Sequence, residues 1–410
     1  MSASPFLAKI NKWLTPARLN YAWIAGGVLW LGWLISMVFG SGYFDAAGQV
    51  IGTDYLQFYS AGETLRSGQA DRLYDANFQL ALERSIVGER LDGQFAFITL
   101  PFLAWLYVPL ASLPYIPSFV LWSILGLLLL WFSLRWLGMG SLKTFGLALM
   151  WYPVFAVISF GQNSLLTLGL FSLGYALWKK KRLFLAGLVV SLVLYKPQLI
   201  LGIGFLWLVR WKRDWKALIG LGAGCLALIG LSAFFLPQAS LDYLKISRQV
   251  LPEMIWLPDF PIWHIYTVRG FFRLLFPGFR FLADGVSLLL TLPAIYFYYL
   301  FLRRYPERDD LQYAGAILMM MWITPHAMVY EWSVLLIPAV LLWLAAPTQR
   351  DTWRPLLLLM WLATFLSTAL TNLQLALFSA AFQITIPVFA YVLVVIYRTL
   401  SALPREQSTA

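Results

Sequence analysis

The stretch "LFLAGLVVSLVLYKPQLILGIGFLWLV", residues 183–209, decides the topology. It lies between two basic clusters, "KKKR" at 179–182 and "RWKRDWK" at 210–216. Short basic connections mark the cytoplasmic side of a membrane protein. If both clusters lie there, the crossings between them are even in number, and 27 residues hold a hairpin of two short helices. Lys196-Pro197 is the expected outer turn, because proline lacks an amide proton and disfavours helix in the residue before it. The alternative is one long tilted helix, which puts one cluster on the far side.

Working outward, the whole composition agrees with a membrane chain. Of 410 residues, 60% are hydrophobic and 12% charged, against about a quarter charged in a soluble domain. Residues 21–40, 217–236, most of 281–302, and 373–397 are apolar for a full crossing. Lys9, Lys12 and Arg18 precede the first run, which is too long for a signal peptide and lacks a small-residue cleavage site, so an uncleaved anchor is expected. The net charge of +11 is explained by bases in short connections, not by nucleic acid. The lone Cys225 reads as packing. No zinc spacing, P-loop or GxGxxG occurs.

Placing every basic cluster inside (Lys9–Arg18, Arg135/Lys143, 179–182, 210–216, Arg303–Arg308, Arg350/Arg354, Arg398/Arg405) predicts an all-α polytopic fold. It has about twelve transmembrane helices in a single domain, 1–410, with both termini inside. Hairpins turn at "FGQNS" (160–164), at "TPHAMVYEW" (324–332) and near Thr371-Asn372. The proline-rich segment 96–115 becomes a re-entrant or broken helix pair. Two long extracytoplasmic loops remain, 41–95 and 237–280. This assignment leaves 13 acids outside and 6 inside, an asymmetry the bases alone did not impose. In the first loop, "DYLQFYSAGETLRSGQ" and "DRLYDANFQLALERSIVG" pattern as amphipathic helices on the membrane surface.

Polar groups then gather on one side: Asp54, Gln162, Lys196, His326, Glu331, and Arg269 and Arg273 of the second loop. Ionisable residues near membrane depth are costly and usually mark a substrate path. Each also has a plain structural reading. Asp54 suits a helix N-cap with Gln57 three residues on. Lys196 could snorkel to the interface. Glu331 could pair with a base, His326 and Gln162 could satisfy turns, and the arginines could hold membrane lipid head groups.

Five segments carry a resemblance: "DYLQFYSAGETLRSGQADRLYD" from Asp54, "FITLPFLAWLYVPLASLP", "GQNSLLTLGL", "LAGLVVSLVLYKPQL" and "TPHAMVYEW". In this order, over roughly residues 50–346, they resemble glycosyltransferase family 87. The chain departs in reading "FAFITLP" where the family often has Tyr-x-Tyr-x-Pro, and in having one histidine in 324–332. The resemblance implies a membrane glycosyltransferase of GT-C architecture. It implies a polyprenyl-phosphate sugar donor, usually mannose, and inverting transfer to a lipid or glycan acceptor. The active site would lie on the extracytoplasmic face of the inner (plasma) membrane. By position, Asp54 matches the family's catalytic acid, Lys196 its Lys-Pro and His326 its Pro-His turn. Gln162, Arg269, Arg273 and Glu331 complete the expected substrate-binding set. No cofactor and no metal ligands are expected, the sequence leaving a divalent metal open.

The rivals are a lipid or glycan flippase, a glycan ligase and a membrane scaffold. A flippase predicts an inverted repeat and mid-membrane charges, and no convincing repeat is found. A ligase usually carries its large outer loop late in the chain. A scaffold needs neither Asp54 nor Lys196.

Overall fold

The computed structural model describes residues 5–257 and 260–402; Arg405 of the last basic cluster lies outside them. The regular elements among the described residues are all helices, with only isolated β-bridges and no extended strand. In chain order the helices are α1 (Pro5–Trp13), α2 (Pro16–Val38), α3 (Tyr55–Arg66), α4 (Ala76–Val87), α5 (Phe102–Tyr107), α6 (Tyr115–Trp136), α7 (Leu142–Leu149), α8 (Tyr152–Phe160), α9 (Ser164–Lys179) and α10 (Leu183–Ser191). They continue as α11 (Leu201–Val209), α12 (Trp211–Phe235), α13 (Pro237–Gln249), α14 (Val268–Leu275), α15 (Arg280–Arg304), α16 (Asp309–Ile323), α17 (Leu336–Ala345), α18 (Arg350–Leu377) and α19 (Thr385–Ser401).

Five helical stretches are long and apolar enough to cross a membrane: Asn20–Val38, Tyr115–Trp136, Trp211–Phe235, Arg280–Arg304 and Pro347–Leu377. A sixth candidate is α7 with α8, bent by 73°. Leu183–Tyr195, Pro197–Val209, Val329–Ala345 and Thr385–Ser401 are apolar but shorter. The chain is therefore a multi-pass membrane protein, and by length and composition it does not reach twelve crossings.

The 183–209 stretch does break at Lys196-Pro197, into α10 with a 3₁₀ turn and, after a second 3₁₀ turn, α11. Glycines show how its halves run. A Cβ at Gly220 would strike the Phe184 and Leu188 backbone, and one at Gly224, a turn further on, would strike Ser191 and meet Leu188. Matching positions rise together, so α10 runs parallel to α12. Small residues at such a seam let two backbones approach closely. Gly204 of α11 faces Leu221 across the tight turn at Arg210, so α11 runs antiparallel to α12. The hairpin follows.

Its basic ends meet on one face. Asp309 takes Arg210 at 2.9 Å, Arg213 at 3.2 Å and Lys181 at 3.3 Å, and Asp310 takes Lys179. Trp178 donates to Asp214 at 3.1 Å, and Arg210 pairs with the same carboxylate at 3.1 Å. At the same end Arg304 donates to the Ser401 carbonyl at 2.7 Å, and Arg308 to that of Ala345 at 2.8 Å. The connections 179–182, 210–216 and 303–310 thus share one side of the bundle.

Three expectations need correction. Helix α3 is not a surface helix: eight of its twelve residues are buried. Phe58, Ala61 and Gly62 interrupt the polar face that the pattern suggested, and Gly62 lets the Tyr107 backbone of α5 approach where a Cβ would sit 2.5 Å from its carbonyl oxygen. Helix α4 has one exposed side, but its buried face carries Gln79 and Glu83, because those side chains accept from the Phe97 and Phe95 amides at 3.2 and 3.1 Å. The last hairpin turns at 378–384, inside the apolar run 373–397, and not near Thr371-Asn372, which stay helical. Gln374 closes that turn by bonding both the amide and the carbonyl of Phe382, at 2.9 and 3.2 Å. Segment 96–115 is a broken piece, six residues of α5 followed by a 3₁₀ turn after Pro109, buried against α3.

Candidate active site

A tight turn delivers Asp54. Gly52 takes φ +74°, where side chains are disfavoured, and the Tyr55 amide bonds back to its carbonyl at 2.5 Å. Tyr55 is buried among Tyr59, Tyr107, Tyr115, Phe119 and Trp122, and its hydroxyl shares a hydrogen bond of 2.6 Å with Ser118. Such aromatic pairs are worth about 0.5–1.5 kcal/mol each beyond area burial. Asp54 occupies the N-cap position of α3, yet its side chain makes no cap bond. The carboxylate is turned outward from the helix and accepts from Gln162 at 2.8 Å.

Gln162 arrives from the turn between α8 and α9. Gly161 has φ +66°, and a Cβ there would strike the Tyr55 Cβ. Trp122 of α6 pins the turn by donating to the Gly161 carbonyl at 3.1 Å. The Asn163 amide donates to Gln162 Oε1 at 3.2 Å, which turns Gln162 Nε2 toward Asp54 and toward the Tyr330 hydroxyl, 3.1 Å away.

Lys196 and Glu331 form a buried ion pair with Nζ 2.5 Å from Oε1, the side chains 11% and 6% exposed. Lys196 does not snorkel. It also donates to Ser164 at 3.3 Å and lies 5.4 Å from the Tyr330 ring centroid. Glu331 Oε2 accepts the Met328 amide at 2.6 Å and so shapes the 324–332 turn. Asp54, Gln162, Lys196 and Glu331 are thereby brought together, with Tyr330 at the centre. Sequence reasoning missed Tyr330; its one signal was its place in "TPHAMVYEW".

His326 lies on the same turn. Its carbonyl accepts from Gln198 and Thr324 at 3.4 and 3.2 Å, and its ring sits 6.0 Å from Phe260. Burial, then the charges of Lys196 and Arg269, push its imidazole down to about 4. Arg269 is spent on Asp284 at 2.6 Å and on the Pro252 carbonyl at 3.3 Å. Arg273 stacks over Trp256 at 4.8 Å with its Nε buried and unpartnered; no contact joins it to Asp54.

Burial raises Asp54 to about 6, opposed by hydrogen bonds from Gln162 and Tyr330; Glu331 raises it further and Lys196 lowers it. A carboxylate with that affinity is ionised at neutral pH and still basic enough to take a hydroxyl proton. Among the described residues no three His, Cys, Asp or Glu side chains gather as a metal site requires.

A family model, glycosyltransferase family 87, matches residues 97–325. The chain belongs to glycosyltransferase family 87. It is accordingly a membrane glycosyltransferase, with a sugar donor and an acceptor as its substrates. The family 87 match takes in Gln162, Lys196, Arg269 and Arg273; Asp54, His326, Tyr330 and Glu331 lie outside it. No curated protein and no solved structure matches the chain.

Proposed function

We propose that this family 87 enzyme transfers a hexose, mannose in the first instance, from a polyprenyl phosphate to a lipid or glycan acceptor. The reaction inverts the anomeric carbon on the extracytoplasmic face of the plasma membrane. The observation that carries the reading is the half-buried Asp54 carboxylate, held by Gln162 and backed by Tyr330, Lys196 and Glu331 from distant parts of the chain. Asp54 takes the acceptor hydroxyl proton as that oxygen bonds to the anomeric carbon. The bond from that carbon to the donor phosphate breaks, and polyprenyl phosphate leaves with one more negative charge. Fixed cations are most effective where such charge develops. Lys196, Arg269 and Arg273 are assigned that task, and Arg273 is the one of the three with no acid partner among the described residues. Counting the bent pair and the four shorter apolar helices as crossings brings the passes to ten, and on the topology argued from the bases the Asp54 cluster lies on the face opposite them.

The test is transfer of labelled mannose from polyprenyl-phosphate mannose to a membrane lipid extract by purified protein, wild type against Asp54→Asn, with and without a chelator. A general base contributes about 10²–10⁴-fold, and the loss should fall in that range. Equal transfer by both proteins removes the mechanism.

A further inference from the structure

The second outer segment is fastened directly to the 324–332 turn. Tyr266 donates its amide to the Ala327 carbonyl at 2.9 Å, and Ile265 and Met328 form an antiparallel bridge. Trp332 donates to the Tyr266 carbonyl at 2.9 Å and Gln383 to that of Ile265 at 2.8 Å. This strap carries the chain's other histidine, His264, up to Phe160, whose ring it meets edge-on at 5.5 Å. Phe160 also meets Tyr330 at 6.1 Å and lies two residues before Gln162. His264 therefore stands one ring away from the group that hydrogen-bonds the Asp54 holder. Its Nδ1 is buried with no hydrogen-bond partner. Nothing in the mechanism above uses it.

We propose that His264 and His326, with Phe160, Phe260 and Trp263, form a subsite for the hexose, the two imidazoles bonding its hydroxyls. The proposal rests on the transferase reading above. Ligand sites combine aromatic walls with a few placed polar groups. Both imidazoles sit against aromatic rings, with Trp263 6.0 Å from His264 and Phe260 6.0 Å from His326. Neither ring makes a hydrogen bond within the described residues; His264 Nδ1 is sealed from solvent, which leaves His264 Nε2 and both nitrogens of His326 for a ligand. Burial pushes His264 down to about 4, as it does His326. Each imidazole is then neutral at working pH, with one N–H donor and one acceptor. That pairing suits hydroxyl groups, which donate and accept, better than a phosphate, which only accepts.

The two histidines are the only ones in the chain, so diethyl pyrocarbonate modification of the wild-type protein, read by peptide mass spectrometry, follows each separately. The probes are polyprenyl-phosphate mannose, polyprenyl-phosphate glucose and sugar-free polyprenyl phosphate. At about ten times its Kd, a sugar-bearing lipid should slow His264 modification about tenfold by mass action, and the sugar-free lipid should not. Unchanged modification with every probe overturns the subsite. Equal protection by the sugar-free lipid overturns the hydroxyl assignment. Labelled transfer in the same preparation is scored separately. Transfer with His264 unprotected keeps the reaction and removes the subsite; protection without transfer does the reverse. In an active preparation, His264→Ala should lower kcat/KM about tenfold, the worth of a hydrogen bond near 1.4 kcal/mol, and His264→Gln should recover most of it.

Discussion

Replacing Gln162 with leucine removes the 2.8 Å donation to Asp54 while leaving burial in place. Burial favours the protonated carboxyl, and the Gln162 bond is the largest influence opposing it. A hydrogen bond to a charged group is worth about 1.5–3 kcal/mol, and about 1.4 kcal/mol corresponds to one pH unit. The acid limb of the pH–rate profile should therefore move toward alkaline pH by about one to two units. For the wild type that limb should have its midpoint at about 6, the value to which burial raises Asp54. At pH 7 the ionised fraction should fall from about nine-tenths to between a half and a tenth. At pH 9 the variant should regain much of the wild-type rate. The assay is labelled transfer in detergent between pH 4.5 and 9 at saturating donor. A uniform drop with the limb unmoved would refute the assignment of Gln162 as the group that keeps the base ionised.

Breaking the Lys196–Glu331 pair by Glu331→Gln should destabilise the protein by about 3–5 kcal/mol, since it strands a buried charge. In the double variant with Lys196→Met the losses should be less than additive by thermal unfolding in detergent. Gly161→Ala should cost at least the roughly 1–3 kcal/mol of a strained backbone position and displace Gln162 from Asp54, lowering both melting temperature and kcat. Asp54→Asn should leave the melting temperature nearly unchanged, because the carboxylate caps no helix; a large drop would mean that it does.

What was legible in the sequence was where backbone chemistry favours a break and where basic connections gather on one face of the bundle. Proline after Lys196 removes an amide donor and disfavours helix in the residue before it, and the helix breaks there, although Pro293 in α15 and Pro355 in α18 are carried within helices; "FGQNS" supplies a glycine able to take positive φ. Those two turns, with Asp54 and the "TPHAMVYEW" turn, were enough to place four of the site residues together. Tyr330 was not legible, because one tyrosine among 20 carries no pattern of its own. The burial of α3 was hidden because its covering elements, α5 and the turn after it, come some forty residues later. The turn at 378–384 depends on Gln374 reaching eight residues ahead, which no local pattern records. His264 escaped because its value comes from the Ile265–Met328 bridge, a pairing between segments sixty residues apart.

Asp309 ties down Lys181, Arg210 and Arg213, and this has a mechanical consequence. The ends of α9, α10, α11, α12 and α16 on that face are knotted to a single carboxylate and its neighbours, so they cannot splay independently. On the polyprenyl-phosphate donor proposed above, a long isoprenoid chain would have to enter and leave on every cycle. The give must come from the far end, where the walls are straps and turns and where the sugar would change hands. With that donor the molecule would work like a clothes-peg, clamped at the basic end and yielding at the jaws.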